Sequence, residues 1–497
     1  MGIYRYLPFV LLLVVLSLSF YVRPAAEDLS IHYYDQVYGL SGNIRSFYHN
    51  ESSRYFSFPL LFVLLDGKFI LTHYYLVALI LLLSLWAIFF FSTRLLGRIL
   101  FSIGLAWKTC AWVSAVLLLA ICSVLFEPAG ILYWISGSMT YLPSFILFGL
   151  LLLLLLRAAG RGRMNVPELV FAALLGVAAA GGNEITLFFL LLSLLWIQAG
   201  YYSVYGRLWR VVNVLGVIVL LCFIAFIVPG GTRHRAGNFK LNFSIGHGLL
   251  VGIGYACRIT VRALSSPLVW FCMVLAGYAG SMTALPIRNK LAGSRVFRPW
   301  LFLAAVPCVV AFFYFLIYLF SGEILPGRAK DLLLFYLFFL LLAAAFLYGV
   351  RSGFGLRLAP DIHKQPVVKL LVLAVFVVTP LSGAIVENIF SGYLYVKVME
   401  KREAAIAASR ESGRHTVVLA PYAEDRDAVL RELRAPKPVK EFFARGDGYP
   451  SLILYKDPLA DTALYIHFYA DYQGIDSIGY LGRSYGRTGL EKSERIK

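Results

Sequence analysis

The chain has 497 residues, 60% of them hydrophobic and 14% charged, with a formal net charge of +18. Soluble domains carry about 25% charged residues, so a water-soluble fold of this size is excluded, because it could not clothe its own surface. The positive charge does not mark a nucleic-acid binder either. Residues 391–497 are close to balanced, with 17 Lys and Arg against 15 Asp and Glu, and much of the excess sits in short stretches between long apolar blocks. Bilayer proteins keep their cytoplasmic cations in such stretches. The expected surroundings are membrane lipids, with no nucleic acid among the partners.

From the N-terminus, apolar blocks predict about eleven transmembrane helices. They fall at 7–22, 69–91, 109–126, 141–156, 166–180, 185–199, 210–228, 263–285, 300–320, 331–350 and 368–389. The connecting stretches alternate in charge. One set carries Arg94, Arg98 and Lys108; Arg157, Arg161 and Arg163; Arg207 and Arg210; Arg288, Lys290, Arg295 and Arg298; Arg351, Arg357, Lys364 and Lys369. Residues 127–140 and 181–184 hold no Lys or Arg. The first set is therefore cytoplasmic, the N-terminus inside and the C-terminus outside. The extracytoplasmic loops are then 23–68, 127–140, 181–184, 229–262 and 321–330. The first block could serve as a signal peptide, but Arg23–Pro24 suits cleavage poorly; residues 23–68 lie outside in either case.

Residues 166–199 would make a helix of about 50 Å, too long for one crossing, and two halves of about 22 Å are short for two. Gly181-Gly182-Asn183-Glu184 divides them. The economical reading is two helices meeting at a turn sunk below the outer surface, in a protein-lined cavity that tolerates irregular backbone. From 391 the composition changes. A charged helical stretch, Val398 to Ser412, leads into Thr416-Val417-Val418-Leu419. Ser451-Leu452-Ile453-Leu454-Tyr455 reads as another strand, and 461–474 as an aromatic amphipathic helix. The expected fold is an all-α polytopic membrane domain, 1–390, with a small α+β extracytoplasmic domain, 391–497. The six cysteines lie in or beside apolar segments without a CxxC pair, which fits packing rather than a disulfide framework or a zinc site.

Four outer elements could carry chemistry. Glu27-Asp28 directly follows the first span, and the loop continues through His32, Asp35, Arg45, His49 and Glu51 to Arg54-Tyr55-Phe56-Ser57. Adjacent carboxylates at a membrane edge suit a general base acting on a hydroxyl. The second acid can hold a divalent cation, orient the acceptor, or raise the base's pKa. The plainer alternative is an acidic pair capping a helix. Glu127-Pro128-Ala129-Gly130 and Tyr133-Trp134 follow in the next loop, as a sugar-stacking platform or as an aromatic belt; a belt does not require Glu127. Asn183 and Glu184 sit in the sunken turn, where an ionisable group is a functional candidate by default. Finally, Arg233-His234-Arg235 with Lys240 breaks the positive-inside trend. Arginine forks among glycines suit a lipid phosphate or pyrophosphate; the alternative is attraction to anionic headgroups.

These elements, in this order, resemble the GT-C class of multi-spanning glycosyltransferases, and more closely a little-characterised bacterial GT-C-like family. The likeness runs through Glu27-Asp28, Arg54-Tyr55-Phe56-Ser57, Tyr133-Trp134 with Gly137, Gly182-Asn183-Glu184, Pro229-Gly230 with Arg233 and Arg235, and the tail run Tyr465 to Gly474. The chain departs from the pattern with Glu rather than Asp as the first acid, His467 in the tail run, and Gly-Thr after Pro229-Gly230. The resemblance implies a glycosyltransferase of the plasma (bacterial inner) membrane. Its donor would be a polyprenyl-phosphate or polyprenyl-pyrophosphate sugar, and its acceptor a glycan, glycolipid or protein hydroxyl on the outer face, with inversion. Glu27 or Asp28 would be the catalytic base, with Mg2+ or Mn2+ as the cation these acids could hold. Arg233, His234, Arg235 and Lys240 would bind the donor phosphate. Arg54, Glu127, Tyr133, Trp134, Asn183 and Glu184 would shape the sugar and acceptor site. A transporter or flippase of lipid-linked saccharides, and a polymerase or ligase of them, are the competing readings. Near-absence of mid-span charges weighs against an ion-coupled carrier.

Overall fold

The computed structural model describes residues 6–101, 104–161, 163–227, 245–321, 325–352, 373–414, 416–420, 422–436, 469–470, 472–473, 477–480 and 483–486. The described structure is almost wholly helical. Helix α1 (Leu7–Ser17) ends in a 3-10 turn to Tyr21, and is followed by α2 (Ala26–Tyr38), α3 (Leu40–Asn50), α4 (Ser57–Asp66) and α5 (Lys68–Thr72). Then come α6 (Tyr75–Phe101), α7 (Trp107–Cys122), α8 (Ile135–Arg161), α9 (Val166–Ala180), α10 (Glu184–Tyr205) and α11 (Arg210–Ile227). The second half holds α12 (Ile245–Leu264), α13 (Pro267–Ser281), α14 (Leu285–Gly293), α15 (Pro299–Ser321), α16 (Gly327–Ser352) and α17 (Pro380–Glu411).

Four of these helices, α6, α8, α10 and α16, are long and apolar enough to cross a membrane, and the α12–α13 pair, bent by 78°, makes a fifth if it counts as one span. Leu7–Tyr21, Trp107–Cys122, Val166–Ala180, Arg210–Ala225 and Pro299–Phe315 are apolar but shorter. Leu13, Leu195, Val217 and Leu221 point outward, exposed. Water would penalise such a surface, whereas lipid solvates it. This is a helical membrane protein.

The structure revises several boundaries. The outer loop expected at 229–262 is helical from Ile245. Its Gly248, Gly252 and Ala256 are buried at every fourth position, and a side chain at Gly252 would meet the Ala311 carbonyl at 2.6 Å. Small residues at this spacing let two helices touch backbone to backbone. His247, Arg258 and Arg262 had lowered the apparent hydropathy of this segment. The loop expected at 23–68 is mostly helical. Helix α8 starts at Ile135, inside the expected loop 127–140, and α16 at Gly327, inside 321–330. The boundary expected at 390 falls within the unbroken helix α17.

Beyond α17 lie β1 (Thr416–Leu419), α18 (Tyr422–Glu432), β2 (Ser477–Tyr480) and β3 (Arg483–Gly486). β1 pairs parallel with β2, Thr416 opposite Ser477, and β2 pairs antiparallel with β3, Ser477 opposite Gly486. The strand expected at Ser451–Tyr455 lies outside the described residues, as does most of the helix expected at 461–474. The tail has its own core, in which Leu394, Tyr395 and Val398 of α17 meet Val417, Leu419, Ile478 and, from the first outer segment, Leu29.

Candidate functional site

Helix α2 starts because Asp28 caps it: the Ala25 N–H donates to Asp28 Oδ2 at 2.8 Å. The same oxygen accepts from the Tyr74 hydroxyl at 2.6 Å. Oδ1 accepts from the Ser136 backbone N–H at 3.0 Å and from its hydroxyl. Asp28 is thus fully buried and holds α2 against the first turn of α8. Burial raises its pKa to about 6, against the pull of the Ser136, Tyr74 and Ala25 hydrogen bonds. Glu27, one residue earlier, is only half-buried.

The inward face of α2 is polar. Asp28, His32 and Asp35, spaced i, i+4 and i+7, are all buried, which places them on one helical stripe. His32 Nδ1 donates to the Leu65 carbonyl at 2.9 Å. Asp35 accepts from Asn43 Nδ2 at 2.8 Å. Burial raises Asp35 to about 6, with Asn43 opposing and the Asp66 charge adding to the rise. Read from the sequence these are loop residues, and their helical spacing is the signal that singles them out.

Arg54 and Glu184 form a forked ion pair. Arg54 Nη2 lies 2.8 Å from Glu184 Oε2, and Nε lies 3.3 Å from Oε1. The arginine is 12% exposed and the glutamate 46%, so the pair opens to solvent through Glu184. The neighbouring chain follows: Phe56 N–H donates to Gly181 O at 3.0 Å, and Ser57 Oγ to Gly182 O at 2.7 Å. Tyr55 lies against Gly181, where any side chain would collide with its ring. Gly181, Gly182 and Asn183 are buried within the protein, whereas Glu184 is exposed. Asn183 caps α10 by accepting from Thr186 N–H at 2.8 Å, and its amide donates to Thr140 O at 3.3 Å.

Glu127 caps α16, accepting from Arg328 N–H at 2.9 Å. Asp331 returns the contact, accepting from Phe126 and Glu127 N–H at 2.6 and 2.8 Å. The Arg328 guanidinium lies 4.7 Å from the centre of the Trp134 ring. Tyr133 and Trp134 are both buried at 2% exposure. Tyr133 reaches inward, its hydroxyl donating to Val15 O at 2.8 Å. The expected stacking platform is therefore corrected: these rings sit in the bundle rather than presenting open faces. A side chain at Gly137 would strike Gly130 O and the Trp134 ring, which explains the glycine beside them.

The first turns of α8 join these groups. Ser136 holds Asp28, Thr140 holds Asn183, Tyr141 lies 5.8 Å below the Arg54 guanidinium, and Ser144 faces Gly182. At 1.5 Å per residue, Ser136 and Ser144 are about 12 Å apart. Arg233, His234, Arg235 and Lys240 lie outside the described residues. The donor set does not fit a divalent cation at Glu27 and Asp28: chain donors occupy both Asp28 oxygens, and the described residues contain no group of three or more His, Cys, Asp or Glu that could hold a metal. Sequence reading missed Tyr74, Ser136 and Asp331, whose partners are far along the chain.

Fold and site together define a polytopic helical membrane protein with a buried polar cluster where its connecting segments meet. No family model, no curated protein and no solved structure matches the chain.

Proposed function

We propose that the chain is a multi-spanning glycosyltransferase that moves a sugar from a polyprenyl-phosphate or polyprenyl-pyrophosphate carrier to a hydroxyl acceptor at the outer membrane face. The observation that supports it most is the convergence on α8. Three separate segments, 27–28, 54–57 and 181–184, meet within the first turns of one helix, and they are three of the six that carry the GT-C resemblance. The accompanying topology has about eleven crossings: the four long helices, α12–α13 as one, the five shorter apolar helices named above, and the apolar run at 368–389 of the sequence. The N-terminus is inside a bacterial inner membrane, and the tail unit is outside.

On this reading the two acids have different tasks. Asp28 has its oxygens filled and acts as a positioning residue. Glu27 is the base. Its carboxylate takes the acceptor's proton, the acceptor oxygen attacks the anomeric carbon, and the carbon–oxygen bond to the carrier phosphate breaks. The phosphate leaves with the electron pair, its charge balanced by cations. One displacement inverts the anomeric centre. Transfer of labelled sugar from defined polyprenyl-phosphate donors by the purified full chain tests this. Glu27→Gln should lower turnover by about 10²–10⁴, the range of general-base assistance, with donor binding kept. Near-normal transfer by Glu27→Gln would refute the assignment, and translocation of lipid-linked sugar without transfer would identify a flippase instead.

A further inference from the structure

The outward side of α2 carries groups that its buried polar stripe does not use. Tyr38 is 65% exposed and Tyr34 37%. Their rings lie 15° from parallel, with centroids 5.9 Å apart. Tyr33 meets the Tyr34 ring edge-on at 5.6 Å, and Tyr33 in turn packs against the tail core. The ring pair is therefore supported from the tail side. The same arc of the helix holds Val37, exposed, with Glu27 and Ser30, both half-buried. A face turned to lipid chains looks different: α11 exposes Val217, Leu220, Leu221 and Ile224, all aliphatic. The α2 arc, with two phenols, a hydroxyl and a carboxylate, suits a ligand that has both apolar and hydroxyl surfaces.

Register along the helix adds the second observation. At about 100° per residue, Glu27, Tyr34 and Tyr38 fall within about 20° of one line, whereas Asp28 lies about 100° round from it. The rise from Glu27 is about 10 Å to Tyr34 and about 16 Å to Tyr38. Both distances are longer than the single sugar ring whose hydroxyl meets the base. We infer that Tyr34 and Tyr38 are a stacking platform for the acceptor, and that the acceptor is an oligosaccharide running along α2 from Glu27. The C–H face of a pyranose ring is apolar and slightly positive, so it settles on the electron-rich face of a tyrosine, while its hydroxyls stay at the rim in water. Tyrosine offers this area at a low cost in side-chain entropy. The pair takes the part expected of Tyr133 and Trp134, which are buried. The inference deepens the transferase reading and rests on it only for the bound glycan being the acceptor.

The test uses the full chain in fluorescently labelled zwitterionic nanodiscs, without donor. The probe is a printed array of bacterial surface glycans, from monosaccharides to hexasaccharides. The wild type should be retained by oligosaccharides and not by monosaccharides. On the glycan bound best, Tyr34→Ala and Tyr38→Ala should each lower affinity about tenfold, the scale of one aromatic stacking contact. Tyr38→Phe and Tyr38→Trp should keep it, because stacking needs the ring rather than the hydroxyl. A native unfolding midpoint in each variant confirms that the fold is intact. Retention by no oligosaccharide, or equal affinity for monosaccharides, would overturn the platform. Unchanged affinity in both alanine variants would also overturn it and leave the rings to the membrane interface. Binding needs no turnover, so the two readings fail separately. Tyrosine-dependent glycan binding by a chain that transfers nothing refutes the transferase and keeps the platform. Transfer to long acceptors with unaltered acceptor KM in the alanine variants does the reverse.

Discussion

Tyr74→Phe isolates the contact on which the placement of α2 depends. The substitution removes one oxygen and leaves the ring in place. That oxygen does two things: it donates to Asp28 Oδ2 at 2.6 Å and accepts from the Ile135 N–H at 2.8 Å. Tyr74 is 2% exposed, so water does not readily replace either contact. A hydrogen bond to a charged group contributes about 1.5–3 kcal/mol, and an orphaned buried N–H costs about 1–3 kcal/mol. Together the loss is roughly 2.5–6 kcal/mol, large against the 5–15 kcal/mol or so that holds an ordinary domain. The pH dependence is specific. Burial raises the Asp28 pKa from its ordinary 3.8 to about 6. The folded state therefore holds this proton more tightly. Its contribution is greatest below about pH 4, declines as pH rises towards 6, and is flat above that. Tyr74 favours the ionised form, so without it the carboxyl titrates higher and the decline continues past pH 6. Unfolding midpoints of the purified chain, followed by tryptophan fluorescence from pH 4 to 8, measure both effects. A variant with the wild-type midpoint and pH profile would refute the reasoning.

Three further expectations follow from particular contacts. Arg54→Lys should lose the fork to Glu184 and cost roughly 1 kcal/mol, the modest size reflecting Glu184's exposure; an unchanged midpoint would show that the pair does not hold 54–57 on the 181–184 turn. At Gly280 a side chain would collide with the Phe346 carbonyl, and neither backbone can give, so Gly280→Ala should destabilise by about 3 kcal/mol, the upper end of overpacking. A folded variant of native stability would mean α13 and α16 are not in backbone contact. In a background without the exposed Cys257 and Cys308, Ser412→Cys should react with an impermeant thiol reagent in intact cells and Arg295→Cys should not. The opposite pattern would put Glu27 in the cytoplasm and end the transferase reading.

Much of the helical framework was legible because bilayer crossing requires long apolar runs, and the break at 181–183 was legible because its flanking halves are short. The ends were not. Glycine at Gly248 and Gly252 supports helix contact, but the hydropathy of that segment is diluted by Arg258 and Arg262, so it read as a loop. The acid pair was visible, yet the burial of Asp28 beside a half-buried Glu27 was not. That depends on Tyr74 and Ser136, which lie 46 and 108 residues from Asp28. Nothing in a local window signals such partners. Tyr133-Trp134 shows the same limit. A belt, a platform and a buried pair have identical letters, and only the packing against Val15 and Arg328 tells them apart.

The acid-bearing helix is held from two directions, and this bears on what the tail does. On one side Asp28 ties α2 to Tyr74 and the α8 N-terminus. On the other, Leu29 enters the core built by α17, β1 and β2. The His32 ring meets Tyr472 edge-on, with centroids 6.2 Å apart. Tyr472 packs against both cores. Within α17, Arg402 is buried in an ion pair with Asp425 of α18 at 2.8 Å, so the tail unit is fastened to that helix. A base that works by position must not wander, since misplacement of about 1 Å can cost about 10²-fold in rate. A helix anchored by one buried carboxylate could still rock about it. A second contact through Leu29, about 100° round the helix from Asp28, limits that freedom. On the transferase reading, the tail is therefore part of what aims Glu27.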